Sequence, residues 1–360
     1  MKKLLLYFIS IFSTISVFGQ LDTTVRTVES VRVSQQQLRM STVDSMSIGS
    51  TEINALPRFM GLADPLKALK FLPGFGNGGD GNAGTYFRGL GVGNNGYYLN
   101  DVEIHYPYHL FGQFPVFNSE MVKAVTVYQT SAPGHYMGKA STYIAVQSNW
   151  QIKDTSSVNA DLSLFHAGIG FRKEIAGRWL IAFQGRKTFM NQTLWPVLAK
   201  FDKDQNETSY DLYDLNLNLK RQFNRHSLQL TLYKGADKAL LLLVDHQANN
   251  VINWGNTALG VTHQFSFANG SMLKTSLSNS SYAAGFGLGL FDNNLAFQHR
   301  LHSLQANSTW SKPIRTARLD LGYVWDVQSL NTLHKSTLQM EPDYIADASL
   351  QRHKVFAGLN

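Results

Sequence analysis

From residue 157 onward, apolar and polar side chains alternate with a period of two over unusually long stretches, and this fixes the second half as extended strand. In residues 157–165, Val158, Ala160, Leu162 and Leu164 face one way, and Asn159, Asp161 and Ser163 the other. In 213–220, Tyr213, Leu215, Leu217 and Leu219 oppose Asp214, Asn216, Asn218 and Lys220. The pattern returns at Leu228, Leu230 and Leu232, at His302, Leu304, Ala306 and Trp310, and at Leu319, Leu321, Tyr323 and Trp325. A soluble sandwich alternates too, so two further features matter. Several segments run past nine residues, matching the ~9–11 that a tilted strand needs to cross a bilayer, whereas soluble strands run about five or six. Five of the six Trp (179, 195, 254, 310, 325) lie in this half and the sixth, Trp150, just before it, several near segment ends, where interfacial girdles would put them. Both features favour a membrane barrel over a sandwich.

Composition agrees with either, at 16 % charged and 12 % aromatic residues. The net charge of +7 comes from scattered Lys and Arg with no dense run, which is not the footprint of a nucleic-acid binder. Cysteine is absent. That excludes disulfides, thiolate metal sites, a thiol nucleophile and a lipid-modified leader.

The N-terminus reads as a secretory leader, 1–19: Lys2 and Lys3, an apolar run from Leu4 to Phe18, and cleavage near Phe18-Gly19-Gln20. Residues 20–50 are polar and predict a periplasmic segment. One short alternating stretch stands out there, Val28, Glu29, Ser30, Val31, Arg32 and Val33. It is either a strand added to a partner's sheet edge or the first strand of the domain that follows.

Residues 51–150 predict a small α+β domain. Asp64 and Pro65 open a helix through Phe71, stopped by Pro73-Gly74. A Gly-rich stretch follows, then strands at 85–88, 96–104, 122–130 and 143–148, with a long irregular loop over 106–118. Two GxGxxG matches, Gly74/Gly76/Gly79 and Gly91/Gly93/Gly96, lack the strand-before, helix-after context of a dinucleotide site. His105 and His109 are separated by Pro107, which denies a helix carrying both, so they read as exposed loop or ligand-contacting histidines rather than metal ligands. Asp101 and Glu103 fall two apart on a predicted strand and share its face. No GxSxG occurs and no catalytic constellation is found. No cofactor or metal is predicted.

At this point the residues carry a family likeness. Leu56-Pro57, Gly61 through Leu69 and Leu72-Pro73-Gly74 resemble the opening helix and turn of TonB-dependent receptor plug domains. Phe87-Arg88-Gly89 and residues 98–104 resemble the plug's RG and LLDGVPV strands, with Asn100-Asp101 where Asp-Gly is usual. Residues 106–112 and Val116-Phe117-Asn118 are similar to the aromatic loop of Bacteroidetes-type members. Residues 122–128 and 133–138 resemble the end of the plug, and 185–189 an early barrel strand.

The resemblance implies an α+β plug domain followed by a transmembrane antiparallel β-barrel portion over 151–360, in the cell outer membrane. Such barrels have about 22 strands, and only roughly ten fit in the residues after Trp150, at ~20 residues per strand and connection. The chain therefore reads as a truncated product or fragment. The implied function is uptake of a siderophore, vitamin, glycan or similar ligand, small molecule or oligomer, and no enzyme activity. The implied partners are the periplasmic TonB energy-coupling protein, outer-membrane lipid and the imported ligand, with no nucleic acid. The candidate coupling segment is 28–33. The candidate ligand contacts are Tyr106, Tyr108, His109, Phe111, Asn77, Asp80 and Asn82. Arg88, Asp101 and Glu103 are expected at the plug–barrel contact. An exported structural or adhesion β-protein is the alternative.

Overall fold

The computed structural model describes residues 39–42, 45–58, 61–77, 84–129, 132–150, 156–198, 200–201, 208–242, 249–290, 293–336 and 344–359. The leader, the segment 28–33, Asp80 and Asn82 lie outside them.

The first domain contains β1 (Arg39–Thr42), β2 (Ser45–Gly49), β3 (Phe75–Asn77), β4 (Thr85–Phe87), β5 (Gly96–Leu99), β6 (Val102–Glu103), β7 (Tyr108–His109), β8 (Phe114–Pro115), β9 (Val122–Tyr128) and β10 (Tyr143–Ser148). Six of these form a sheet in the order β1-β2-β9-β10-β5-β6, parallel only between β10 and β5. The sheet thus takes in residues 39–49, ahead of the boundary at 51 read from the sequence. Val125 and Val127 on β9 and Ile144 and Val146 on β10 are fully buried. They pack with Ile53, Leu66, Leu69, Val102 and Ile104, and burial of each large side chain contributes about 1.5–3 kcal/mol.

The expected helix from Asp64 through Phe71 is instead a 3-10 helix, Lys67–Phe71, closed by Leu69 N–H to Leu66 O (3.1 Å) and Leu72 N–H to Leu69 O (2.9 Å). The run between the two prolines is too short for an α-helix to offset its nucleation cost. Asp64 lies ahead of its start, accepting from Leu66 N–H at 2.9 Å. The strand expected over 96–104 is two strands, because Asn100 (φ 51°) and Asp101 (φ 68°) both adopt the left-handed conformation. Leu99 pairs with Val102 across them, so Asn-Asp makes a two-residue hairpin turn. Asp101 and Glu103 therefore share no strand face.

The second half is one sheet of ten strands, paired antiparallel in chain order: β11 (Ser157–Leu162), β12 (His166–Ile175), β13 (Trp179–Thr188), β14 (Ser209–Phe223), β15 (His226–Leu242), β16 (Asn249–Ser266), β17 (Met272–Leu290), β18 (Asn293–Ile314), β19 (Ala317–Ser336) and β20 (Tyr344–Leu359). From β14 on, strands run 15 to 22 residues, beyond the ~9–11 that span the hydrocarbon. The turns 224–225 and 315–316 lie at one end, and the strand ends Thr188, Ser209, Ser336 and Tyr344 at the other.

The polarity of this wall is the reverse of a soluble core. On β14, Asp214, Asn216 and Asn218 are buried toward the first domain, while Tyr213 and Leu215 are exposed on the outer face. Leu259 and Val261 on β16 and Leu321 and Tyr323 on β19 are exposed in the same way. An apolar outer face and a polar inner one suit lipid outside and a polar-surfaced stopper inside. The first domain sits close against the wall. A Cβ at Gly260 of β16 would lie 2.1 Å from Val102 Cγ2, so only glycine admits the approach.

Candidate functional site

The loop expected to be irregular over 106–118 is pinned at several points to the inner wall. Tyr106 is left-handed (φ 45°), is 47 % exposed, and meets Tyr282 of β17 with ring centroids 5.1 Å apart at 39°. Its carbonyl accepts from Tyr108 N–H at 2.8 Å. Tyr108 lies behind it, its hydroxyl 2.8 Å from that of Tyr97 and accepting from Thr85 N–H at 3.3 Å. Burial and the neighbouring phenol push the Tyr108 pKa far above its ordinary value. Trp254 of β16 donates its indole N–H to Tyr108 O at 2.9 Å. Between this loop and β16–β18 opens a cavity of about 400 Å³, lined chiefly by aromatic rings: Tyr106, Tyr108, Trp254, Tyr282, Phe286 and Phe297.

Beneath the cavity, the expectation of exposed histidines fails. His105 and His109 are both buried, at 3 % and 2 % exposure. His109 donates from Nδ1 to Asp237 of β15 at 2.5 Å and has Nε2 3.2 Å from the Tyr233 hydroxyl. Asp237 also accepts from Leu110 N–H (3.1 Å) and from the Tyr210 hydroxyl. Asp214 lies 3.7 Å from His109 and pairs with Arg186 of β13. Arg186 in turn donates to the Pro115 carbonyl at 2.6 Å. Two carboxylates, a guanidinium and an imidazole thus tie the loop to three adjacent strands. Their burial is tolerable because each is paired and hydrogen-bonded.

A second contact forms at the Asn100-Asp101 turn. Asn100 Nδ2 lies 3.0 Å from each of Ser148 Oγ, Asn218 Oδ1 and Thr231 Oγ1, and its Oδ1 accepts from Ser148 N–H (2.8 Å) and Trp150 Nε1 (3.2 Å). Asp101 pairs with Lys274 of β17, accepts from the Tyr136 hydroxyl at 2.7 Å and lies 3.4 Å from His135. Burial opposes its ionisation, but Lys274 and His135 outweigh that and hold its pKa well below the ordinary value. Glu103 bonds Lys139 at 2.7 Å and sits 3.5 Å from His105. Its pKa is also lowered, the electrostatic pull of His105 and Lys139 overcoming burial. Burial depresses the His105 pKa, against the pull of Glu103, and His105 Nε2 lies 3.1 Å from Ser280 Oγ of β17.

The structure therefore gathers Tyr106, Tyr108 and His109 at one place, with the two tyrosines on the cavity and His109 behind it. Phe111 lies in the one-turn helix Leu110–Gly112, and Asn77 ends β3. Asp101 touches the wall directly, whereas Glu103 reaches it through His105. The partners found for Arg88 are within its own domain: Gln129 Oε1 at 3.4 Å and the Phe87 ring at 4.9 Å.

The family model for the TonB-dependent Receptor Plug Domain matches residues 40–141. Residues 40–141 are a TonB-dependent receptor plug domain. No curated protein matches the chain in sequence. Among solved structures, the plug and wall superpose on the copper transporter OprC (TM-score 0.62, 13 % identity, 89 % of this chain and 52 % of that one). They superpose similarly on the unliganded ferric citrate transporter FecA (0.63, 10 %, 87 % and 53 %) and on the siderophore receptor PirA from Acinetobacter baumannii (0.56, 10 %, 89 % and 58 %). The chain spans about half the length of these structures, and at such identity they speak for the fold. A plug domain seated against part of an antiparallel barrel is the architecture of an outer-membrane TonB-dependent receptor, and this chain is an outer-membrane protein.

Sequence reasoning missed the wall's share of the site: Trp254, Tyr282, Phe286, Phe297, Asp237, Arg186 and Lys274. One signal was present. In β17 the polar phase that runs through Ser276, Ser278 and Ser280 turns to Tyr282, Ala284 and Phe286, so the lumen-facing side becomes apolar over the last third of the strand.

Proposed function

We propose that this protein takes part in energy-dependent import across the outer membrane, with the ligand captured in the cavity between the plug's 106–112 loop and the wall. The supporting observation is the position of that cavity: its floor is plug and its side is barrel, so a ligand there touches the element that must move and the element that stays. The character of the plug–wall contact is consistent with movement. Much of it is made by side-chain hydrogen bonds such as those of Asn100, Asp101 and His109, whose net worth is about 1 kcal/mol each for neutral pairs and about 1.5–3 kcal/mol where a carboxylate takes part.

In this reading the periplasmic TonB protein grips residues 28–33 by strand addition and pulls on the plug. Ligand contacts in the plug come from Tyr106 and Tyr108, with His109 as a clamp between loop and wall. Cells producing the receptor should accumulate a ligand that uncoupler-treated cells do not, and deleting residues 28–33 should abolish both accumulation and capture of TonB in a pull-down. Accumulation that survives uncoupling excludes energised import. If accumulation is energy-dependent but indifferent to the deletion, the coupling segment lies elsewhere. A purely structural or adhesive role predicts surface exposure with no ligand accumulation at all.

A further inference from the structure

Where the wall faces the plug, its inner side is polar: Asp214, Asn218, Thr231, Asp237, Ser280 and Gln305 are all buried there. Farther along the same strands, away from the turns 224–225 and 315–316, the inner side becomes aromatic. The register pairs Ile252 with Phe286, Phe286 with Phe297, and Phe297 with His334, so these side chains form one row crossing four adjacent strands. The Phe286 and Phe297 centroids are 6.5 Å apart at 28°, and the Phe297 and His334 rings stack at 4.6 Å and 18°. Trp254 stands one same-face step nearer the plug and Tyr282 two, and Tyr106 closes the row from the plug side. Among the described residues, no Lys, Arg, Asp or Glu lines this cavity.

Resting on the ligand site argued above, we propose that the cavity takes an uncharged ligand with flat, apolar ring faces, either the CH face of a saccharide or the plane of a fused aromatic. Aromatic faces carry negative electrostatic potential and attract C–H edges and other rings in offset or edge arrangements. They offer nothing to a net-negative metal chelate, which would give up water without finding a cation. The polar groups at hand include the Tyr106 and Tyr282 hydroxyls, the Asn253 amide and the His299 imidazole, whose Nδ1 lies 3.0 Å from Thr332 Oγ1. They can orient hydroxyl or amide groups without pairing a charge. The backbone of Tyr106 supports the same reading. A bulky residue in the left-handed region persists only where its surroundings hold it, and such strain clusters at ligand sites. Here it presents a half-exposed ring to the cavity in advance of any ligand.

The test is equilibrium binding by the whole protein purified from outer membranes in detergent. The probes are a panel of neutral oligosaccharides, riboflavin as a neutral fused aromatic, and ferric citrate as an anionic chelate. At least one neutral probe should bind saturably, at least tenfold more tightly than ferric citrate, and lose tenfold or more in Trp254→Ala and in Tyr106→Ala, with Trp254→Phe restoring most of it. Tyr106→Ala changes a half-exposed plug residue and serves if Trp254→Ala fails to fold. The oligosaccharide and riboflavin arms separate the two sources of a ring face. Failure of every neutral probe, or tighter binding of ferric citrate, overturns the proposal. If ferric citrate binds and Trp254→Ala abolishes it, the cavity stands as the site and only the ligand class falls. If a neutral probe binds with both alanine variants unaffected, the site itself is misplaced.

Discussion

Replacing Asp237 tests whether the loop that floors the cavity is held by the wall. Its carboxylate, with a fully buried side chain, accepts from His109 Nδ1, Leu110 N–H and the Tyr210 hydroxyl. Asp237→Ala leaves one ring nitrogen, one backbone N–H and one phenol without that acceptor. Each buried orphan costs about 1–3 kcal/mol, and removing one side of a buried, charge-assisted pair about 3–5 kcal/mol in all. Asp237→Asn keeps an oxygen for Leu110 or Tyr210 and loses chiefly the charge-assisted bond to His109, for about 1–2 kcal/mol. The readout is hydrogen exchange at the amides of Tyr108, His109 and Leu110, which reports local opening. Losing about 3 kcal/mol should speed exchange on the order of 10²-fold in Asp237→Ala, and losing about 1.5 kcal/mol roughly tenfold in Asp237→Asn. Adding His109→Leu to Asp237→Leu should recover part of the loss, because the orphaned ring nitrogen is then gone. Unchanged exchange at Leu110 in Asp237→Ala, or equal effects of Ala and Asn, would refute the loop's dependence on this carboxylate.

Three further outcomes follow from the same contacts. The pKa values of Asp101 and Glu103 are lowered in the fold, so their contribution to plug docking is full above about pH 4–5, where the unfolded carboxyls are ionised, and drains away as pH falls through the folded values. Lys274→Met removes the cation that depresses Asp101 and should move acid-induced exposure of the 100–102 turn to higher pH; an unmoved acid transition in exchange measurements would deny the pair this role. Gly260→Ala sets a methyl against Val102 Cγ2 and should lower the denaturant midpoint of plug release by the equivalent of about 1–3 kcal/mol, with Val102→Ala restoring it; a midpoint that the second change leaves untouched would place the clash elsewhere. Leu215→Arg on the outer face should weaken insertion into lipid vesicles by up to about 2–4 kcal/mol, depending on depth, and equal folding of variant and parent in a vesicle titration would mean that this face does not meet lipid.

The alternation in 213–220 by itself determined which side chains of β14 turn outward. Period two is a property of a single strand, and Leu215 and Asn218 needed no other part of the chain to be assigned to opposite faces. The strand count of the wall followed from the length after Trp150 at ~20 residues per strand and connection, and the ordered plug motifs pointed to the first domain. What lay beyond local pattern were contacts between residues far apart in sequence. His109 read as an exposed loop residue because nothing near it suggests a partner, and its partner Asp237 is 128 positions away. Asp101 and Glu103 read as one carboxylate pair on one strand, until the left-handed turn at Asn100 sent the first to Lys274 and the second to Lys139. Trp254, Tyr282 and Phe297 lie on three different strands. Only strand register and the closeness of the plug put their rings around one space with Tyr106. Local propensity fixes which way a side chain points from its own backbone, and tertiary packing decides what it meets there.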